Sequence, residues 1–255
     1  METASTARPP VLFLHGLFGK PALLAPWLDF LAGQGFPCHA PAMPGRDSVD
    51  KAVLRRSGLA DYVRAAMRAF DEIGEEPVVI GHSIGGLLAQ HVAAARHCKA
   101  LVLLASVPPG ILWVQPRAMP HLLGLLPGIL AGNPILPSHQ TMREIPLFNL
   151  PFDEQTAIID QFVPDSGRVF RALTFGTAAT RVTRDAVRCP VLVVSGGADR
   201  NVADWITRRI VRRYHATHQV HPRLPHWIIT PSALDEVAPG VVGWLDSFVP
   251  LQVSS

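Results

Sequence analysis

The sequence predicts an α/β fold in which about six mostly parallel strands form one sheet with helices on both faces. Three observations predict it. Short runs of apolar, often β-branched residues recur along the chain, which is typical of strands buried on both faces. Segments with helical periodicity separate these runs. The 255 residues, of which 48% are hydrophobic, suffice for one large domain with a substantial core.

The strands are predicted from apolar runs bounded by glycine, proline or polar residues. They cover residues 11–14, 36–40, 78–80, 100–105, 191–195 and 217–220. The Gly-x-Gly-x-x-Gly motif of dinucleotide-binding folds and the P-loop are both absent. The sequence therefore argues against a nucleotide-binding version of this architecture.

Helices are predicted between the strands from their apolar stripes and their glycine and proline boundaries. The first three cover residues 21–32, 59–73 and 87–96. The final helix is predicted to begin near Pro239, because proline is well tolerated in a first helical turn. We expect this helix to bury Val242, Leu245 and Phe248.

The interval between residues 105 and 191 interrupts the alternation of strands and helices. It holds ten prolines from Pro108 to Pro164, together with many aromatic and aliphatic residues. A connection of this length is usually functional, and its hydrophobicity argues against a disordered linker. We therefore expect a mainly helical cap at residues 108–185, inserted after the fourth strand, over a core formed by residues 1–107 and 186–255.

The stretch around Ser83 has the pattern of a nucleophile held at a sharp turn. A run of β-branched residues at 78–80 leads into Gly81-His82-Ser83-Ile84-Gly85, and a helical segment follows. Gly81 and Gly85 are needed because a Cβ at either position would collide with the crossing backbone. The turn is therefore expected to hold the Ser83 hydroxyl clear of the sheet.

A serine hydroxyl is a weak nucleophile unless a neighbouring base takes its proton. Among eleven histidines, His226 is the candidate base, since it follows the last strand at the carboxyl edge of the sheet. Asp199 follows the fifth strand and a Gly-Gly turn, so we expect it to reach the same edge and orient His226. His82 adjoins the serine, but neighbours at a tight turn point apart, which favours a packing or hydrogen-bonding role.

Together these motifs resemble the α/β-hydrolase superfamily, and within it the serine esterase and lipase branch with a cap. The resemblance is carried by His15-Gly16, Gly81 to Gly85, Gly196-Gly197-Ala198-Asp199 and Pro225-His226-Trp227, with Ser, Asp and His in the family's order. The family's Asp-x-Arg-Gly-x-Gly turn after the second strand reads Met43-Pro-Gly-Arg-Asp47 here. The usual role of that turn is therefore not carried over.

The chemistry also requires two backbone donors for an oxyanion. The elbow supplies the Ile84 N–H at the start of a helix, whose dipole favours negative charge. The resemblance implies that the loop after His15-Gly16 supplies the second donor, the Leu17 N–H. Candidates for contact with the substrate are Phe18, His82, Trp113 and Trp227.

The expected reaction is acyl transfer to water. The sequence predicts a serine hydrolase, a soluble carboxylesterase that cleaves an ester of a hydrophobic small molecule through an acyl-enzyme on Ser83, with no metal or organic cofactor. Three alternatives stay open: a lipase that transiently contacts an interface through residues 122–130, a C–C bond hydrolase or lyase with the same triad, and a non-catalytic binding protein. A serine at the elbow argues against the dehalogenase and epoxide-hydrolase branches, which use a carboxylate there.

Charge and histidine spacing argue against other ligands. The formal net charge is +3, and the dense arginine cluster between Arg208 and Arg213 falls on the outer face of a predicted helix, so no nucleic-acid partner is expected. His215, His218 and His221 are spaced by three, which places them on differing faces of a strand. No metal site is therefore expected.

The predicted compartment follows from the cysteines and the apolar segments. Three widely spaced cysteines suggest no disulfide framework, and the first eight residues lack the features of a signal peptide. Residues 118–142 contain no Asp, Glu, Lys or Arg, but four prolines interrupt them, so no transmembrane segment is expected. These observations favour a cytoplasmic location.

Overall fold

The computed structural model describes residues 8–249. Its strands are β1 (Val11–Leu14), β2 (Cys38–His39), β3 (Val78–His82), β4 (Ala100–Leu104), β5 (Pro134–Ile135), β6 (Asp165–Ser166), β7 (Val191–Gly196) and β8 (Thr217–His221). Six of them form one sheet in the order β2-β1-β3-β4-β7-β8, and every neighbouring pair is parallel. The predicted six-stranded sheet is confirmed.

Helices cover both faces of this sheet. They are α1 (Ala25–Gly33), α2 (Lys51–Arg56), α3 (Leu59–Asp71), α4 (Ile84–Ala95), α5 (Met119–Ala131), α6 (His139–Glu144), α7 (Phe152–Ile159), α8 (Gly167–Phe175), α9 (Asp204–Tyr214) and α10 (Pro231–Leu245). Short 3₁₀ helices cover Pro21–Leu24, Pro116–Ala118, Ala178–Thr180 and Arg184–Ala186. The buried apolar residues of α1 and α10 pack in one cluster, and those of α3 and α4 pack in another with Ile210 of α9.

The apolar runs of the sequence are explained by burial on both faces. Successive residues of a strand point to opposite faces of the sheet. In β1, Val11 and Phe13 therefore join the cluster with α1 and α10, whereas Leu12 and Leu14 join the cluster with α3 and α4. All four side chains are fully buried. Each strand of this kind must be apolar throughout, which is the pattern that predicted it.

The strand register brings several loops to one edge of the sheet. Leu14 pairs with Gly81, His82 pairs with Leu104, and Leu104 pairs with Val194. Because the strands are parallel and end nearly level, the loops that follow β1, β3, β4 and β7 all leave the carboxyl edge. Side chains distant in the sequence can therefore meet there.

The segment between β4 and β7 contains helices α5 to α8, in agreement with a mainly helical insertion. It also contains a small antiparallel sheet, in which Ile135 of β5 lies opposite Asp165 of β6. This strand pair was not predicted, because two-residue strands leave no periodic signal. The cap boundaries at residues 108 and 185 stay a prediction.

The final helix begins earlier than the sequence predicted. Pro231 occupies the first turn of α10, and the Thr230 hydroxyl accepts a hydrogen bond from the Ala233 N–H at 3.1 Å. Pro239 lies inside the helix rather than at its start. The prediction was wrong because tertiary burial of the helix offsets the hydrogen bond that a proline removes.

The end of the chain and the second strand also differ in detail from the prediction. Val242 and Leu245 are buried as expected, but Phe248 follows the end of α10 and is 47% exposed. The second strand is restricted to Cys38–His39, because it pairs with β1 alone at the edge of the sheet. In residues 8–249, no helix combines the length and the apolar composition that crossing a membrane requires.

Candidate active site

Ser83 sits at the sharp turn between β3 and α4. Its backbone has φ 55° and ψ −120°, a conformation that residues other than glycine rarely adopt. A Cβ on Gly81 would lie 2.2 Å from the Gly85 carbonyl oxygen, and a Cβ on Gly85 would lie 2.0 Å from the Leu14 carbonyl oxygen. Both glycines are therefore required for the strand and the helix to approach each other this closely.

Hydrogen bonds from neighbouring elements hold this strained turn. The Ser83 N–H donates to the Leu104 carbonyl at 3.0 Å. The Ser83 carbonyl accepts the N–H groups of Gly86 and Val107, each at 3.0 Å. Because the surrounding backbone determines the conformation, the Ser83 side chain is presented in one direction.

The structure brings the three predicted residues of the site into hydrogen-bond contact. His226 Nε2 lies 2.9 Å from Ser83 Oγ, and His226 Nδ1 lies 2.8 Å from Asp199 Oδ2. Ser83 is 7% exposed and His226 is 3% exposed. An ionised Asp199 accepts the Nδ1–H of His226, which leaves Nε2 free to accept the proton of the serine hydroxyl.

Backbone groups orient the second oxygen of Asp199. Its Oδ1 accepts the N–H of Asn201 at 2.6 Å and the N–H of Val202 at 2.9 Å. A Cβ on Gly196 would lie 2.2 Å from the Leu224 carbonyl oxygen, so the loop after β7 needs glycine to approach the loop that carries His226. The predicted Gly-Gly-Ala-Asp turn thus places Asp199 against His226.

His82 is buried behind His226. Its Nε2 lies 3.1 Å from the His226 carbonyl oxygen, and its ring packs against Trp227 with centroids 4.9 Å apart. Burial, together with the positive charge that His226 can carry, lowers the pKa of His82 to about 3. His82 is therefore a neutral residue that donates to the backbone of His226, and it does not line the cavity beside Ser83.

The two predicted oxyanion donors belong to segments that adjoin the serine. Ile84 is the first residue of α4, and Leu17 lines the cavity in the loop after β1. A Cβ on Gly16 would lie 3.2 Å from the Ser83 Cβ, which shows how closely this loop approaches the elbow. The next N–H, that of Phe18, is already bonded to the Asp165 carboxylate at 3.0 Å. Leu17 rather than Phe18 is therefore the suitable donor in this loop.

The sequence predictions missed a buried ionic cluster that contacts the loop after β1. Arg46 and Asp165 are both fully buried and form a salt bridge through Arg46 Nη1 and Asp165 Oδ2. The Tyr62 hydroxyl donates to Asp165 Oδ1 at 2.6 Å. Arg46 Nη2 donates to the carbonyl oxygens of Gly16, at 3.2 Å, and Gly19. The only sequence signal was an arginine in the Pro-Gly-Arg-Asp turn, a context typical of solvent exposure.

His15 completes the underside of the same loop. Its Nε2 accepts the Met43 N–H at 3.2 Å, so in the neutral ring the proton lies on Nδ1, which donates to the Gly16 carbonyl at 2.9 Å. Burial, followed by the charge of Arg46, lowers the pKa of His15 to about 4. His15 is therefore neutral near pH 7.

A predominantly apolar cavity opens above Ser83. Its empty volume is about 1020 Å³, including the part open to solvent. The lining comes from the insertion and from the loops after β1, β7 and β8, and among its side chains are Leu122, Leu125, Met142, Phe162 and Leu173. Polar side chains are few, so the cavity suits a hydrophobic molecule with one reactive polar group.

Two of the four candidates for substrate contact line this cavity, and two do not. Phe18 and Trp227 are among its lining residues, whereas His82 lies behind the site. Trp113 is 60% exposed, while Leu112 and Val114 on either side of it line the cavity. Alternate side chains of an extended segment point in opposite directions, so Trp113 faces solvent.

Of the three histidines at 215, 218 and 221, the last two lie in β8 and have separate partners, whereas His215 follows the end of α9. His218 Nε2 lies 2.9 Å from Ser195 Oγ, and His221 Nδ1 lies 2.9 Å from Glu236 Oε1. Among residues 8–249, no three His, Cys, Asp or Glu side chains are grouped so that they could hold a metal ion.

The fold, the strained serine and the order of the three residues point to one family, and comparison with known proteins agrees. The Alpha/beta hydrolase family matches residues 11–239 of the chain. The protein is an α/β-hydrolase. The α/β-hydrolase fold predicted from the sequence is thereby confirmed.

Individual relatives of this α/β-hydrolase are distant. A pyrethroid hydrolase of Sphingobium wenxiniae is 24% identical over 218 residues, which cover 80% of this chain and 76% of that protein. A monoacylglycerol lipase of Paleococcus ferrophilus has a TM-score of 0.71 and 22% identity, with 95% of this chain and 97% of that chain covered. A methylesterase from Arabidopsis has a TM-score of 0.68 and 15% identity, with 93% and 99% covered. At these identities the solved structures show a shared fold.

Proposed function

We propose that this α/β-hydrolase is a serine carboxylesterase that cleaves an ester of a hydrophobic small molecule through an acyl-enzyme on Ser83. The observation that carries the proposal is the continuous hydrogen-bonded series from Ser83 through His226 to Asp199, at 2.9 and 2.8 Å, at the floor of an apolar cavity. The names of the similar proteins, which include a pyrethroid hydrolase, a monoacylglycerol lipase and a methylesterase, agree with it.

Acylation begins when Ser83 Oγ attacks the ester carbonyl carbon. His226 Nε2, 2.9 Å from Oγ, accepts the serine proton as the new bond forms. Asp199 holds the tautomer with the proton on Nδ1 and stabilises the imidazolium through its 2.8 Å contact. His226 then delivers the proton to the leaving alcohol.

Deacylation repeats the sequence with water. His226 removes a proton from a water molecule, which attacks the acyl carbon, and the proton returns to Ser83 Oγ as the acid leaves. In both half-reactions the carbonyl oxygen becomes negative, and the N–H groups of Leu17 and Ile84 stabilise it. The positive end of the α4 dipole adds to this stabilisation at Ile84.

A fluorophosphonate probe tests the nucleophile. The wild-type protein should be labelled, whereas Ser83→Ala should not. Ser195→Ala is a matched control, because Ser195 is also a buried serine near the end of a sheet strand but bonds to His218. Equal labelling of wild type and Ser83→Ala would refute the assignment.

A series of p-nitrophenyl esters tests the reaction and the substrate. The apolar cavity should favour medium-length acyl chains over acetate, since each buried methylene contributes about 0.8 kcal/mol. Ser83→Ala should remove all turnover above background. Labelling of Ser83 without turnover of any ester would contradict ester cleavage and favour C–C bond hydrolysis or a lyase reaction with the same residues.

Exposed leucines on α5 favour interfacial lipase activity as a second candidate. Leu123 is 62% exposed and Leu130 is 52% exposed, beside Leu122 and Leu125 of the cavity lining. A lipase of this kind would show a rise in rate when a short-chain ester passes its critical micelle concentration. Leu123→Ser should remove that rise while preserving turnover of the monomeric ester.

The proposal includes a cytoplasmic location. Its support is that the three cysteines at 38, 98 and 189 are all free thiols, as expected in a reducing compartment. Fractionation of cells that express the protein tests the location, and recovery outside the cytoplasm would contradict it.

A further inference from the structure

We propose that Arg46, anchored by Asp165 of the insertion, is a positioning residue that orients the Gly16–Leu17 peptide as one wall of the oxyanion hole. The inference rests on the proposed function only in the use that it assigns to the Leu17 N–H. The arrangement of charges around the peptide stands on the structure alone.

The geometry of one peptide unit carries the first step. Gly16 contributes the carbonyl and Leu17 the N–H of the same planar group, and residues 8–249 contain no cis peptide bond. The C=O and N–H of a trans peptide point in opposite directions, so a hydrogen bond that fixes the carbonyl also fixes the direction of the N–H. The Gly16 carbonyl accepts His15 Nδ1–H at 2.9 Å and Arg46 Nη2–H at 3.2 Å. These two donors determine where the Leu17 N–H points.

The insertion forms hydrogen bonds with both backbone groups of the following residue, Phe18. The Phe18 N–H donates to Asp165 Oδ2 at 3.0 Å, and the Phe18 carbonyl accepts the Val163 N–H at 3.0 Å. Phe18 has φ 62°, in the left-handed region that residues other than glycine rarely occupy. Such a conformation persists only where its surroundings enforce it. Residues 163 and 165 are those surroundings, so the insertion shapes the loop that carries Leu17.

The charge of Arg46 acts on the same peptide. A guanidinium bonded to the Gly16 carbonyl polarises the peptide unit, which makes the Leu17 N–H a stronger donor toward an oxyanion. Burial amplifies the effect, since the Arg46 and Asp165 side chains are 1% and 0% exposed. Asp165 balances the charge, and its other oxygen is occupied by the Tyr62 hydroxyl and the Ser166 N–H.

The ion pair also joins two parts of the chain. Arg46 follows β2, whereas Asp165 lies in β6 of the insertion, 119 residues away. Arg46 bonds to Gly19 as well as Gly16, so both ends of the loop depend on it. A substitution at Arg46 should therefore disturb the oxyanion donor while leaving the His226 and Asp199 contacts in place.

The experiment compares Arg46→Met with Arg8→Met. Arg8 is a matched control because it is also a buried arginine paired with an aspartate, Asp246, and it stacks on Phe36, outside the site. The first readout is the second-order rate constant for fluorophosphonate labelling of Ser83, in which fluoride leaves a pentacoordinate phosphorus whose phosphoryl oxygen gains negative charge. Arg46→Met should lower this rate constant about 10- to 100-fold, whereas Arg8→Met should leave it unchanged.

The second readout follows the peptide without any catalysis. In carbon-13 and nitrogen-15 NMR spectra, Arg46→Met should move the Gly16 carbonyl and Leu17 amide resonances, and the carbonyl shift should be upfield because a hydrogen bond is lost. Arg8→Met should leave both in place. Unchanged resonances in Arg46→Met, or a labelling rate equal to that of the wild type, would overturn the proposal.

A third variant covers the case in which Arg46→Met does not fold. Arg46→Lys keeps the charge but cannot bond to Gly16, Gly19 and Asp165 in the same planar arrangement, so it should retain the fold and lose part of the labelling rate. A wild-type rate in Arg46→Lys together with unshifted Gly16 and Leu17 resonances would overturn the proposal. If the wild-type protein is not labelled at all, the proposed function fails, and the NMR readout still decides the role of Arg46.

Discussion

Two buried aspartates, Asp199 and Asp165, support the two halves of the candidate active site in similar ways. Each accepts hydrogen bonds from backbone N–H groups and contacts one basic side chain. Asp199 contacts His226, which contacts Ser83, and Asp165 contacts Arg46, which contacts the loop of Leu17. In the proposed mechanism, Asp199 therefore assists proton transfer, and Asp165 supports the group that stabilises negative charge.

The difference lies in the basic partner. A histidine gains and loses a proton near neutral pH, so the carboxylate beside it can assist each catalytic cycle. An arginine stays charged throughout, so the carboxylate beside it can only position and balance it. Loss of Asp199 should thus impair proton transfer by His226. Loss of Asp165 should release the Gly16–Leu17 peptide from its fixed orientation and lower the free energy of unfolding.

The largest effect is expected for Asp199→Asn. An amide at this position favours the wrong tautomer of His226, so kcat should fall by roughly 10⁴-fold while the structure is retained. Steady-state kinetics and a thermal unfolding curve measure the two quantities. Asp204→Asn is the control, since Asp204 lies at the exposed start of α9 and pairs with Arg208. A loss of less than tenfold in Asp199→Asn would show that another group orients the base.

Asp165→Asn should have a smaller effect on rate and a larger effect on stability. The substitution leaves the buried Arg46 charge without its partner, which should lower the free energy of unfolding by about 3 to 5 kcal/mol. In the folded fraction, kcat should fall about 10- to 100-fold with little change in KM. Urea unfolding measures the loss of stability, and kinetics at low temperature, where the variant is folded, measure the loss of kcat. A change in KM with an unchanged kcat would contradict the division of roles between the two aspartates.

The same comparison extends to stability in acid, because each half of the candidate active site contains one buried neutral histidine, His82 beside His226 and His15 beside Arg46. The pKa of His82 lies near 3 and that of His15 near 4, whereas an unfolded histidine has its pKa near 6.5. Below pH 6.5 the unfolded chain therefore binds protons that the folded chain does not, and stability falls as the pH falls. Each histidine should lower the free energy of unfolding by about 1.4 kcal/mol between pH 7.5 and 5.5.

Urea unfolding at the two pH values measures this loss. His82→Gln and His15→Asn should each reduce the difference in unfolding free energy between pH 7.5 and 5.5 by that amount, whatever their effect at pH 7.5. An unreduced difference in either variant would show that the pKa of that histidine is not lowered in the folded protein.

The smallest effect is expected for Tyr62→Phe. It removes the 2.6 Å hydrogen bond to Asp165 but keeps the salt bridge, so stability should fall by about 1 kcal/mol and kcat by less than threefold. Thermal unfolding and steady-state kinetics test both values. A loss of rate as large as that of Asp165→Asn would show that Tyr62, rather than the ion pair, holds the loop of Leu17 in place.

The sequence was most informative where function and local backbone geometry coincide. Ser83 was predictable because a strand, two glycines and a helix must follow one another to make the turn. Asp199 and His226 were predictable because each follows a strand of the sheet, and parallel strands bring their carboxyl ends together. The start of α10 was misjudged, because two prolines eight residues apart both suit a first turn and only packing distinguishes them.

Local pattern was therefore enough for the sheet, the elbow and the three residues in contact around it. Tertiary structure alone decided that Arg46 and Asp165 are buried, that they meet, and that Trp113 faces solvent while its neighbours line the cavity. The physical reason is that a charged side chain is buried only when a partner neutralises it. The partner here lies 119 residues away, in a two-residue strand that no periodicity reveals.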